Sequence, residues 1–181
     1  MRAHKAEEIL DVAETLARSG GYGGFSFRDL AREVGIKSAS VHYHFPTKED
    51  LGVALIRRYN ERFIAGLGDP RGEGTPAEKL ARYVDAFRAS MLKDRLMCLC
   101  GLFGAEVSSL PDLVAAETRV FFEQNRDWLV AVLEADPHYA DAAQRDRAAL
   151  TLIAKLEGAM IMARTMSDPG IFEAILADSL G

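Results

Sequence analysis

Residues Phe25 to Lys48 read FSFRDLAREVGIKSASVHYHFPTK, and the fold follows from this stretch. Ser26 stands three residues before Asp29, the spacing at which a hydroxyl caps the third helical amide while the carboxylate reaches back. A helix of about eight residues should follow, with Phe27, Leu30, Ala31 and Val34 on its apolar face. Gly35 ends it, because a residue without Cβ adopts the left-handed conformation that a helix end often needs. Ile36 is expected to be buried after the turn, and Ser38 to cap a second helix reaching about His44. Two short helices across a tight Gly-containing turn make a helix-turn-helix. The second one offers little beyond Val41 and Phe45 to a core. Its remaining side chains are polar, which suits a helix lying in a DNA groove.

Outward from that stretch, helical spacing continues in both directions. Ala6, Ile9, Ala13, Leu16 and Ala17 predict a first helix over about 3–19, with Glu7, Glu8, Asp11 and Glu14 outward. It ends in the run Gly20-Gly21-Tyr22-Gly23-Gly24. Pro46 closes the recognition helix, and Thr47 with Asp50 repeats the capping spacing at the start of a long fourth helix. That helix carries Leu51, Leu55, Ile56, Tyr59 and Phe63. The polar segment 69–74, DPRGEG, reads as a linker. Thr75, Pro76 and Glu78 then open a fifth helix bearing Leu80, Tyr83, Val84, Phe87 and Met91. A short apolar helix near 98–107, a long one over 112–135, an eighth over 140–166 and a ninth over 171–180 complete the chain. The class is all-α, about nine helices. The linker is expected to divide the chain into two domains, one over 1–68 that carries the helix-turn-helix and one over 75–181.

The 181 residues suffice for a real core. A net charge of −5 looks unsuited to nucleic acid until it is divided. Residues 1–60 hold nine Lys/Arg against eight Asp/Glu, and residues 61–181 hold thirteen against nineteen. The acidic excess therefore lies away from the recognition helix, where the local field matters. The charged amino terminus is no signal peptide, and Lys155 and Glu157 interrupt the longest apolar region. Two Cys make no disulfide framework. These features predict a cytoplasmic protein with reduced thiols. Nucleophile–base pairs, metal-ligand spacings and phosphate loops do not occur in the sequence, so an enzyme, a metal site and a cofactor are not expected.

Over about residues 5–60 the sequence resembles the TetR family of transcriptional regulators. The likeness rests on F-S-F-R-D-L-A, on A-R-E-V-G-I, and above all on V-H-Y-H-F-P-T-K-E-D-L. Val41, His42, Phe45, Lys48 and Leu51 fill the family's Leu-Tyr-x-x-Phe-x-x-Lys-x-x-Leu pattern, with His42 replacing the commoner Tyr. The resemblance implies a nine-helix homodimer whose helix-turn-helix domain, over 1–68, is DNA-binding and whose helical core, over 75–181, is an effector-binding and dimerisation domain. It further implies a repressor that a small-molecule effector releases from its double-stranded DNA operator.

For DNA contact, Arg28 and Lys48 are expected to flank the groove, Lys48 adding charge to the amide-rich start of the fourth helix. Lys37, Ser38 and Ser40 are placed to reach bases, with Ala39 permitting close approach. His42 is a donor to guanine or phosphate, and Tyr43 and His44 resemble the family's phosphate-contacting positions. For the effector pocket, the soft and aromatic residues Phe87, Met91, Cys98, Phe103, Phe121, Trp128 and Met160 are candidates, with Glu106 and Asn125 as polar handles. The plain alternative is that each is ordinary core. Cys98 and Cys100 leave open a redox- or electrophile-sensing repressor, which requires an exposed thiol beside a cation such as Lys93 or Arg95. Leu152, Ile153 and Leu156 of the eighth helix, with Phe172, Ile175 and Leu176 of the ninth, exceed what one side of a monomer needs. They are expected to form a four-helix dimer interface, the plain alternative being a helix packed centrally within its own subunit.

Overall fold

A computed structural model describes residues 2–177, without the side chains of Arg2, Ala3, Lys93 and Asp94. Among the described residues there are nine α-helices and no strand. They are α1 (Arg2–Gly20), α2 (Phe27–Val34), α3 (Ser38–His44), α4 (Lys48–Leu67), α5 (Pro76–Ala89), α6 (Leu99–Ala105), α7 (Asp112–Leu133), α8 (Ala142–Thr165) and α9 (Gly170–Leu176). Expected residues 178–180 of the ninth helix lie outside the described residues.

Most helix starts obey the local chemistry. Ser26 and Asp29 form a reciprocal capping box on α2, as Thr75 and Glu78 do on α5. Thr47 and Asp50 exchange the same bonds before α4, the Thr47 amide donating to the Asp50 carboxylate at 3.0 Å and the Asp50 amide to the Thr47 hydroxyl at 3.0 Å. Gly35 ends α2 with φ of 72°, and the Ile36 amide donates back to the Ala31 carbonyl at 2.9 Å. One expectation fails. Ser38 is the first residue of α3 rather than its cap; Lys37 takes the cap position without a side-chain bond. The fifth helix runs on through a π-helical turn over Ser90–Asp94, which Arg95 closes in the left-handed conformation at φ of 55°. Wide turns of this kind leave no mark on helical periodicity.

The chain forms two compact units. The first contains residues 1–61 and 98–121, the second 62–97 and 122–181. The segment carrying α6 thus belongs with the helix-turn-helix, whereas a cut at the 69–74 linker would have assigned it to the other side. In the first unit, Ile9, Ala13, Ala17, Leu30, Val41, Leu51, Leu55 and Phe103 are buried. Glu14, expected outward, is buried too. Its carboxylate lies 3.3 Å from Arg58 and 3.5 Å from Arg18, a pairing that offsets the desolvation of the ions.

In the second unit, Tyr83 packs against Phe63, Phe87 and Trp128 at ring-centroid distances of 5.5–5.8 Å. The Tyr83 hydroxyl donates to the Asn125 side-chain oxygen at 2.9 Å, both groups buried. Lys79 is buried because its ammonium donates to the carbonyls of Pro70 and Gly72, at 3.0 and 2.7 Å, so the linker is folded onto α5.

On α8, Ala149, Ile153, Leu156, Met160 and Ala163 are buried. So are Phe172 and Leu176 of α9. Four of the six expected interface residues (Ile153, Leu156, Phe172 and Leu176) are therefore core of their own subunit, because α9 folds back onto that stripe of α8. Besides Met162, which is also exposed, the apolar residues Leu150, Ala154 and Ile161 of α8 form a second, exposed stripe. It begins one residue after the first, so it is rotated by about 100°.

Candidate nucleic-acid interface

The helix-turn-helix is built by anchoring α3 on one side only. Val41 is wholly buried and Phe45 nearly so, and no other residue of the helix is buried. Lys37, Ser38, Ala39, His42 and Tyr43 are exposed, with Ser40 and His44 half-buried. Tyr43 keeps 61% of its surface, unusual for a large aromatic side chain with nothing to bind.

His42 is held from behind. Its ring meets Phe27 edge to face at 4.5 Å, and Nδ1 lies 3.3 Å from the Pro46 carbonyl. When Nδ1 carries the proton it donates to that carbonyl, which leaves Nε2 as the outward group. His44 leans on the Tyr43 ring at 5.3 Å, so only the more exposed Tyr43 projects fully.

The basic residues of the helix-turn-helix are few. Arg32 is engaged by Asp29 at 3.2 Å and Glu33 at 3.3 Å. Arg28 and Lys37 are exposed and, among the described residues, have no carboxylate partner. They are the two cations best placed to meet phosphate.

Lys48, expected beside them, is turned inward. Its ammonium donates to the Phe25 carbonyl at 2.7 Å and sits 4.6 Å from the ring centres of both Tyr22 and Phe25. Burial lowers its pKa, against the opposing pull of Glu106 and Asp29. Lys48 thus secures the approach to α2, and a phosphate contact would use its remaining donors.

Glu106, nominated as a pocket handle, belongs to the same cluster. The Tyr22 amide donates to its carboxylate at 2.9 Å, and the Tyr22 ring packs on Phe103 at 5.6 Å. Gly21 permits this, with φ of 74° and a position where a Cβ would fall 1.9 Å from a Glu106 oxygen. Nothing local in the sequence points to a carboxylate eighty-odd residues away.

The other pocket candidates divide between the units. Cys98, Phe103 and Phe121 are buried in the first; Phe87, Asn125, Trp128 and Met160 are buried in the second. Asn125 is engaged by Tyr83, and the Trp128 indole donates to the Gly68 carbonyl at 2.8 Å. Met91 borders a cavity of about 320 Å3 shared with Arg95, Met97, Arg164 and Ser167. A second cavity, about 500 Å3, lies against α8 and includes Leu152, expected at the interface, but none of the nominated pocket residues. Both thiols are buried. Cys98 Sγ accepts the Gly101 amide at 3.4 Å as the cap of α6. Among the described residues no cluster suits a metal ion, and no helix is long and apolar enough to cross a membrane.

A family model described as bacterial regulatory proteins, tetR family, matches residues 9–55. A TetR transcriptional regulator from Legionella pneumophila is 37% identical in its crystal structure, with a TM-score of 0.87 over 93% of this chain and 91% of that one. A TetR-family transcriptional regulator from Agrobacterium tumefaciens is 34% identical, with a TM-score of 0.90 over 99% and 97% of the two chains. The biofilm operon icaADBC HTH-type negative transcriptional regulator IcaR of Staphylococcus aureus (strain Newman) is 42% identical over 45 residues, which is 25% of this chain and 24% of that protein. The match to this curated relative thus spans about a quarter of its length.

Proposed function

The chain belongs to the TetR family of bacterial transcriptional regulators, and on that premise we propose that it is a cytoplasmic repressor, bound to its operator as a homodimer and released by a small-molecule effector. The observation that carries the DNA-binding part is α3: a helix pinned by Val41 and Phe45, with Lys37, Ser38, Ala39, His42 and Tyr43 exposed. Such a helix buries too little to be core and presents donors and an aromatic ring at major-groove scale. Phosphate positioning falls to Arg28, Lys37, Tyr43 and His44, and base reading to Ser38, Ser40 and His42. His42 is where the operator should depart from those of its relatives.

One such helix reads only a few base pairs, so two copies related by a two-fold are needed. The exposed stripe Leu150, Ala154 and Ile161 of α8 supports an interface between copies, in place of the α8 and α9 residues buried within the chain. Effector binding would shift the population between conformers whose recognition helices do or do not match successive grooves. Helix α4, whose residues run from the first unit into the second, is the proposed connection. A thiol switch has against it the burial of both Cys98 and Cys100, since oxidation requires access.

Selection of the full-length protein on a pool of random duplexes tests this reading. Enrichment of a pseudo-palindrome with half-sites spaced by about one helical turn or a multiple of it supports the dimeric reader. Enrichment of no sequence above the starting pool would overturn it.

A further inference from the structure

Arg147, Thr151 and Lys155 repeat every four residues on α8 and form one row along its side. Beside them runs a second row, Ala148 and Leu152. Leu80 of α5 and Leu129 and Leu133 of α7 close the space opposite, leaving a cavity of about 500 Å3. That is enough for a small organic molecule. The floor is mainly hydrocarbon, with Arg147, Thr151 and Lys155 along one edge and Tyr139 and Gln144 completing the lining.

The charge of this wall is set against its surroundings. Residues 61–181 carry an acidic excess, yet the cavity is lined by Arg147 and Lys155 and by no carboxylate. Nearby acids are committed elsewhere: Glu134 meets Arg71 at 2.8 Å, Asp146 lies 3.6 Å from Arg126, and Asp141 accepts the Gln144 amide at 2.7 Å. Arg145, two residues before Arg147, is satisfied by the carbonyls of Tyr139 and Ala140 at 2.9 and 3.3 Å. Arg147 has no such partner among the described residues. A guanidinium beside an apolar floor matches a planar carboxylate in two parallel hydrogen bonds. A cation is repelled there, and a neutral hydrocarbon gains nothing from Arg147.

We propose that this cavity binds an anionic amphiphile, an elongated apolar body on Leu80, Leu129, Leu133 and Leu152 with its carboxylate on Arg147. Thr151 and Lys155 extend the polar edge about 12 Å along the helix, so a second polar group further along the ligand is accommodated. The assignment rests on the ligand-responsive reading only for its consequence on DNA, since binding itself is measured without DNA.

The test uses the full chain and dodecanoate below its micelle concentration, with dodecanol and dodecyltrimethylammonium as controls. Trp128, the single tryptophan, is adjacent in the chain to Leu129 and reports occupancy by fluorescence; calorimetry gives the stoichiometry. The expected result is saturation at one dodecanoate per chain, with both controls at least tenfold weaker. Arg147→Gln at the exposed rim should weaken dodecanoate about tenfold and leave dodecanol unchanged, whereas Arg71→Gln should change neither. Equal affinity for the three probes, an unaltered Arg147→Gln variant, or the absence of saturation would overturn the site. Saturation seen only after Ile161→Asp has separated the dimer would overturn it as well, because a second copy then fills the groove. Dodecanoate that binds as described but leaves the operator complex intact supports the site and counts against its role as effector site. Release of DNA by another compound with no binding here supports the ligand-responsive reading alone.

Discussion

Helices α3 and α8 carry opposite signals. The seven residues of α3 bury little besides Val41, so a sequence with almost nothing to put in a core already tells which side is wet. The 24 residues of α8 are apolar on more than one side, and periodicity reports only that these sides are covered. Which stripe meets α9 and which faces outward is set by a one-residue rotation, between Ala149/Ile153/Leu156/Met160 and Leu150/Ala154/Ile161. A polar surface names itself, whereas an apolar one leaves its partner to be found.

That contrast breaks most readily on α8. Leu156→Ala empties a fully buried site and should cost about 2–5 kcal/mol, read by chemical denaturation. Ile161→Asp, on the exposed stripe, should leave the monomer's stability nearly unchanged while sedimentation shows the dimer lost. If Ile161→Asp unfolds the chain and leaves association intact, the two stripes have been assigned the wrong way round.

A smaller effect comes from Gly21. Alanine there meets both a left-handed φ and the Glu106 carboxylate, and should destabilise the first unit by roughly 2 kcal/mol. Glu106→Ala in the same chain should recover only the clash, leaving the backbone strain. Full recovery by calorimetry would show that φ at this position is not a constraint.

His42→Ala should lower affinity for the selected operator about tenfold and relax the preference at one or two positions per half-site. His42→Tyr, which restores the family's commoner residue, should shift that preference rather than abolish it. Unchanged sequence logos for both variants would remove His42 from the reading surface.

The least effect is expected from the cap of α2. Hydrogen bonds from Ser26 hold the Asp29 carboxyl below its ordinary pKa. A depressed carboxylate stabilises the fold above its unfolded pKa and stops doing so as pH falls through its folded value. The contribution is therefore complete at neutral pH and lost below about pH 4. Asp29→Asn should flatten this acid limb in helicity measurements, whereas an unaltered limb would show that the box contributes nothing to it.

What the sequence showed follows the same division. The capping boxes at Ser26, Thr47 and Thr75 and the stop at Gly35 were legible because each lies within four residues of its partner. The outward side of α3 was legible because two apolar residues cannot make a second buried side. The partners of Lys48, Tyr22 and Phe25, were not legible because they lie more than twenty residues back, and that of Glu106 because it lies further still. A long cation at a helix start reads as a phosphate contact until a carbonyl and two rings are known to surround it. The soft residues nominated for a pocket are mainly core, while the cavity against α8 is marked by Arg147 and Lys155, which hydrophobicity alone passes over.

Arg28 of α2, Lys37 at the cap of α3, and Tyr43 and His44 of α3 are the proposed phosphate contacts, and the salt dependence of operator affinity tests them directly. The logarithm of affinity should fall steeply and linearly with the logarithm of salt concentration, and the paired variant Arg28→Ala with Lys37→Ala should reduce the slope by about two per subunit. A flat response in the wild-type protein, or an identical slope in the variant, would contradict these contacts.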